Sequence, residues 1–288
     1  HKPFSQTQVL AELRAVCDAR QQAGQGNARS EEAPRRRHTA VVADDSAFVD
    51  AASGDPRAQA IAPGTYVLRS GMSGAAAVEL MLDPASRKVA KVAVPEGLRL
   101  DMTLAIAAKA TGIPLADLKT AASKAGSLGL PEYADGNPEG FLFPATYEFQ
   151  PDATADTVVK TMLGRFDQAA SDVDLEAAAA ARGVDPLAVV TIASILEVEV
   201  APGDYAKAAR VLYNRLDKGM RLQLDSTVNY ALGKSDLKLS AADLATDSPY
   251  NTYKVKGLPP GPIASPGQAA LEAALDPADG SWLYWVTT

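Results

Sequence analysis

The stretch DPLAVVTIASILEVEV, residues 185–200, constrains this chain more than any other, because only a protein interior can cover the helix it forms. Asp185 can cap that helix, and Pro186 suits the first helical position, whose amide needs no partner. Val190, Ile192, Ile195, Leu196 and Val198 leave no polar face, so the helix is expected to be covered all round. Glu197 and Glu199 sit in its last turns. At a helical step of about 100° per residue they point to nearly opposite sides.

A carboxylate among apolar side chains is costly when charged, so burial favours the protonated state that a general acid needs. Glu197 shares its face with Val190, Ala193 and Ser194, and Glu199 shares its face with Ile192 and Ile195. Small neighbours leave room for a ligand, which makes Glu197 the better catalytic candidate. The competing reading is a structural Glu that ion-pairs with Arg210 or Arg215, since structural pairs also perturb carboxyl groups.

The 288 residues suggest two domains, or one large domain with a smaller module, and a hydrophobic fraction of 47% is ample for a core. A net charge of -7 argues against nucleic acid as the main partner. The one basic run, Arg35-Arg36-Arg37-His38, lies in polar sequence and reads as a solvated linker. A single cysteine, Cys17, allows neither an internal disulfide nor a cysteine metal cluster. Two histidines, His1 and His38, both near the N-terminus, argue against a histidine metal site or a Ser-His-Asp triad. No window reaches the roughly 18 apolar residues of a membrane span, and no signal peptide is visible. The chain starts at His1, as a trimmed product would.

In chain order, residues 7–19 read as an amphipathic helix, 21–37 as a flexible polar segment and 44–52 as a short helix. A small α/β module comes next, with strands over 65–69 and 88–94 and a helix over 73–82. Helices are expected over 102–111, 114–125, 156–170 and 174–182, the last stopped by Gly183. The aromatic stretch EGFLFPATYEFQP, 139–151, reads either as a sugar-stacking cleft or as core. Beyond the central helix, 205–218 and 226–232 are helical and 220–224 is extended. Residues 248–267 form a Pro/Gly-rich loop of the kind that lines a site. The chain closes with a helix over 268–275 and an apolar strand over 282–286.

Four segments in order carry a resemblance: EGFLFPATYEF at 139–149, ASILEVEV at 193–200, VLYNRLDKGMRLQLDSTVNYALG at 211–233 and SPYNTYKVKGLPPGPIASPG at 248–267. Together they resemble the endolytic murein transglycosylases (MltG/YceG-like proteins) over about residues 60–288. The resemblance implies an α+β fold in which a small LysM-like α/β subdomain, 60–137, is joined to a mainly helical α+β catalytic domain, 138–288. Residues 1–59 would be an N-terminal helix and flexible segment. It implies internal cleavage of nascent peptidoglycan glycan strands between N-acetylmuramic acid and N-acetylglucosamine, and it places the family's catalytic glutamate on Glu197. Val198 stands where the family usually has lysine, a change expected to be neutral. The family pattern continues past SWLYWVTT, which implies an incomplete C-terminal edge. It also includes an anchoring membrane helix upstream, which puts the protein on the extracytoplasmic face of the bacterial cell membrane.

The implied reaction uses the 6-hydroxyl of the muramic acid as internal nucleophile and leaves a 1,6-anhydro end. One carboxyl then serves as acid and later as base, in contrast to the two of an ordinary glycosidase. No metal or organic cofactor is needed, and the expected partners are glycan strands and cell-wall synthases, the penicillin-binding proteins. Supporting roles fall to Gln223, as donor to an N-acetyl or hydroxyl group, and to Asn214 and Arg215, which hold either the central helix or the substrate. Asp225 either stabilises positive charge at the anomeric carbon or caps the helix at Ser226. Tyr250, Asn251 and Tyr253 either contact saccharide or stiffen the loop. A non-catalytic glycan-binding scaffold remains the alternative. A pyridoxal-phosphate lyase, a label the family once carried, lacks its lysine and phosphate loop here.

Overall fold

A computed structural model describes residues 45–62, 64–69, 71–236 and 238–286. The helix expected over 7–19, the polar segment 21–37, Cys17, His1 and His38 lie outside the described residues. Contacts fall into two units that divide between Val89 and Ala90.

In the first unit, helix α1 (Asp45–Gly54) packs on α2 (Gly74–Leu82). The Ser73 hydroxyl caps α2 by accepting from the Ala76 N–H at 3.2 Å. A Cβ on Gly74 would lie 2.1 Å from the Ala47 carbonyl oxygen, so the close approach of the two helices requires glycine there. Strands β1 (Thr65–Tyr66) and β2 (Arg87–Lys88) pair antiparallel, and Ala52, Ile61, Val78 and Met81 form a small core.

The second unit begins with β3 (Ala90–Ala93), antiparallel to β4 (Thr146–Phe149), with Val92 opposite Tyr147. The single strand expected over 88–94 is therefore two, divided between the units. Helices α3 (Leu100–Thr111) and α4 (Leu115–Ala122) lie between the two strands in sequence. Then come α5 (Ala155–Asp172), α6 (Leu175–Arg182), α7 (Pro186–Glu199), α8 (Tyr205–Asp217), α9 (Asp225–Leu232), the short α10 (Ala241–Leu244) and α11 (Gln268–Leu275). Helices with two small antiparallel sheets make the fold α+β. Residues 90–137 pack with the rest of the second unit: Leu104 and Leu118 share one core with Phe141, Phe166, Ile192 and Leu271. Packing thus divides at 89/90, within the stretch that the resemblance reads as LysM-like.

The aromatic stretch is core, not cleft. Phe141, Phe143, Tyr147 and Phe149 are all buried, and Phe141 meets Phe166 edge-on at 4.8 Å. Helix α7 starts as its sequence predicts: Asp185 Oδ1 accepts from the Leu187 N–H at 2.7 Å, and Pro186 is the first helical residue. Every residue from Val189 to Leu196 is buried, covered in part by α6, α8 and α11. The last turn then emerges, with Val198 41% exposed, so the helix is not covered all round. Both glutamates stand on this emergent turn.

One expectation fails in the C-terminal part, and one helix appears where none was expected. Residues 282–286 form no strand, and the Trp282 and Leu283 carbonyls accept from Asn214 and Arg215 of α8 rather than from a neighbouring ladder. Residues 241–244, given no structure by the sequence reading, form α10, started by a reciprocal capping box between Ser240 and Asp243.

Candidate active site

Glu197 is half-buried, and two donors hold its carboxyl. The Tyr205 hydroxyl, from the first residue of α8, donates to Oε1 at 2.8 Å. The Gly267 N–H, at the start of α11, donates to Oε2 at 2.9 Å. Burial, then the contact with Glu197, push the Tyr205 phenol well above its ordinary value, so it stays a neutral donor. Neither suggested arginine pairs with Glu197. Arg210 donates to the carbonyls of Ala278 and Pro277, and Arg215 to those of Leu283 and Leu222.

The small residues on the Glu197 face serve a different end from the one expected. Ala193 and Ser194 are fully buried, and the Ser194 Oγ accepts from the Ile263 N–H at 3.0 Å while donating to the Thr191 carbonyl. Small side chains here admit the 261–267 loop rather than a ligand. That loop is buried throughout and locked to the turn at 96–98: Gly97 N–H donates to the Ser265 carbonyl, and Ser265 N–H to the Leu98 carbonyl. Gly140 (φ +86°) permits close packing, since a Cβ would fall 2.5 Å from Pro262 Cβ. The result is a rigid backbone that aims the Gly267 N–H at Glu197.

Glu199 does point away from Glu197. Its Oε1 accepts a long bond, 3.4 Å, from the Ser226 N–H at the start of α9. Burial first, and the nearby Asp225 charge less strongly, push its carboxyl above the ordinary range. Asp225 begins α9 without capping it; its Oδ1 instead accepts from the Tyr253 hydroxyl at 2.6 Å. Burial and that bond push the Tyr253 phenol up to about 12. Gln223 is exposed with φ +52°, a strained conformation for a side-chain-bearing residue, and its N–H is tied to the Thr252 carbonyl. Gln223, Asp225, Tyr253 and Glu199 therefore form one neighbourhood beside the helix end.

Three other candidates spend their polar atoms inside the protein. Asn214 donates to the carbonyls of Gly280 and Trp282, and the Arg215 guanidinium also lies 4.8 Å from the Tyr284 ring. Buried Asn251 donates to the Leu244 and Thr246 carbonyls and accepts from the Tyr253 N–H. Tyr250 lies 4.8 Å from the Tyr230 ring. A groove of about 340 Å³ opens near the end of α7, lined by Val200, Lys207, Trp282 and Tyr284 among others, but Glu197 does not line it.

Sequence reasoning overlooked Glu139, which is 5% exposed and accepts from the Leu100 N–H at 2.9 Å and the Tyr230 hydroxyl at 3.2 Å. Burial pushes its carboxyl to about 7 from an ordinary 4.5. Between those values the folded chain keeps a proton that the unfolded chain has released. Stability contributed by Glu139 is therefore complete below about pH 4.5 and declines as pH rises to about 7, by about 3 kcal/mol at most. Glu139→Gln should flatten that slope, as measured by urea unfolding at pH 5 and pH 8; the same slope in both proteins would contradict this.

The fold and site define a helical α+β protein with two hydrogen-bonded carboxyls, Glu197 and Glu199, at the emergent end of a buried helix. The YceG-like family profile matches residues 25–288, further upstream than the motifs alone reach. The chain belongs to the YceG-like family. A protein named endolytic murein transglycosylase from Bacillus subtilis (strain 168) is 43% identical over 150 residues, 51% of this chain and 41% of that protein. One of the same name from Streptococcus pneumoniae (strain D39) is 38% identical over 154 residues, 51% of this chain and 28% of that protein. The chain thus spans less than half the length of these curated relatives. A 2.6 Å crystal structure of a YceG-like protein from Listeria monocytogenes matches with a TM-score of 0.65 at 31% identity, over 85% of this chain and 86% of that one.

Proposed function

We propose that this chain is a lytic transglycosylase that cuts peptidoglycan glycan strands internally, with Glu197 as its acid and then its base. The relatives' name, endolytic murein transglycosylase, supports the substrate and the reaction class. The observation that carries the residue assignment is the Glu197 carboxyl itself. It sits on an emergent helix turn, oriented by a phenol and a rigid main-chain N–H, with no cation paired to it among the described residues.

In this reading Glu197 gives its proton to the leaving glycosidic oxygen as the bond to the anomeric carbon breaks. The 6-hydroxyl of the same muramic acid closes on that carbon, and the Glu197 carboxylate takes the hydroxyl proton. Proximity comes from the substrate, so no water or second protein nucleophile is required. Gln223, Asp225 and Tyr253, which lie on the Glu199 side of the helix end, contact sugar units further along the strand. Residues 60–137 are the LysM-like part, and the protein works at the extracytoplasmic face of the membrane beside the cell-wall synthases.

Mass spectrometry of uncrosslinked peptidoglycan digested by the chain tests the chemistry. Anhydro-muramic ends are expected. Reducing ends would make the protein a hydrolase, and binding without cleavage would make it a scaffold.

A further inference from the structure

We infer that Glu96 is a positioning residue for the proposed acid: its carboxyl faces the Glu197 carboxyl across the backbone of Gly267 and sets a like charge beside it. This deepens the reading in which Glu197 is the acid, and rests on it.

The geometry comes from Gly267. An ideal Cβ there would lie 1.9 Å from Glu96 Oε1 and 2.4 Å from Glu96 Cδ, so the Glu96 carboxyl occupies the space a side chain at 267 would fill. The Gly267 N–H meanwhile donates to Glu197 Oε2 at 2.9 Å. One residue therefore touches both carboxyls. Gly267 has φ -81°, which any residue adopts, so space and not torsion requires glycine. From the other side, a Cβ on Gly97 would lie 3.6 Å from Glu197 Cγ, which packs the 96–97 turn directly on the acid. The paired main-chain bonds between Gly97, Leu98 and Ser265 fix that turn.

A like charge at this place has a chemical use. Tyr205 and Gly267 both donate to Glu197, and such donors solvate a carboxylate. A general acid must instead arrive with its proton. An ionised neighbour opposes a second negative charge placed beside it. Burial, and then the Glu197 charge, push Glu96 itself above its ordinary value, and Tyr205 feels both carboxyls. When the proton passes to the glycosidic oxygen the pair gains one negative charge. Recapture of the 6-hydroxyl proton returns it to the starting state. Because Glu96 is largely exposed, salt weakens its influence.

The test follows kcat/KM against pH on uncrosslinked glycan strands for the whole chain and Glu96→Gln. The variant should keep cleaving at acid pH while the alkaline limb moves several tenths of a pH unit towards acid. The shift should shrink in about 0.5 M salt. A uniformly slower profile with unmoved limbs in Glu96→Gln, or no change at all, overturns the proposal. Carbon NMR of the glutamate carboxyls reads the coupling without turnover: Glu96 should titrate at lower pH in Glu197→Gln than in the parent. An unmoved Glu96 midpoint overturns the proposal whatever the activity. If instead the midpoint moves but Glu197→Gln still cleaves strands, the coupling stands and the assignment of Glu197 as acid fails.

Discussion

Glu197→Gln should lower strand cleavage by about 10²–10⁴-fold, the range expected when a general acid is removed. The substitution keeps an oxygen to accept from Tyr205 or Gly267 and changes volume little, so the fold should hold. Glu199→Gln is the matched comparison. Glu199 faces Ser226 and Asp225, and burial pushes its carboxyl up, so by electrostatics alone it is a rival candidate for the acid. Turnover by single-point variants separates the two. Loss confined to Glu197→Gln supports the assignment, whereas loss confined to Glu199→Gln would move the chemistry to the opposite side of the helix.

Arg215→Ala should instead act on stability. The guanidinium is 7% exposed, donates to the Leu283 and Leu222 carbonyls at 2.6 Å each, and lies over the Tyr284 ring. Removing a buried charged donor leaves those carbonyls unpaired and the C-terminal stretch unfastened, at a cost of about 3 kcal/mol. Urea unfolding should show that loss, while activity per folded molecule stays within a few-fold of the parent. Unchanged stability with collapsed activity would return Arg215 to the substrate.

How far the sequence can be read depends on the range of the forces involved. The cap at Asp185, the apolar run of α7 and the opposed directions of Glu197 and Glu199 depend on neighbours within a few turns, and all three are found. Tyr205 lies only eight residues from Glu197, but its role depends on how α7 turns into α8. Gly267 and Glu96 reach Glu197 from some 70 and 100 positions away, through packing that periodicity does not encode. Arg215 and Asn214, read singly, could hold either the central helix or the substrate, because nothing local shows that backbone carbonyls of 280–283 come to meet them. The apolar run at 282–286 mimics a strand, but extended sequence makes a ladder only with a partner. Ser240-x-x-Asp243, by contrast, is a local cap signal, and α10 is legible from it.

The space above Gly267, filled by the Glu96 carboxyl, ties two distant positions into one constraint on divergence. Any lineage that enlarges residue 267 must shorten residue 96 in compensation, and the reverse exchange is open as well. Tolerance at either position then depends on what occupies the other, so a substitution harmless in one relative becomes disabling in the next.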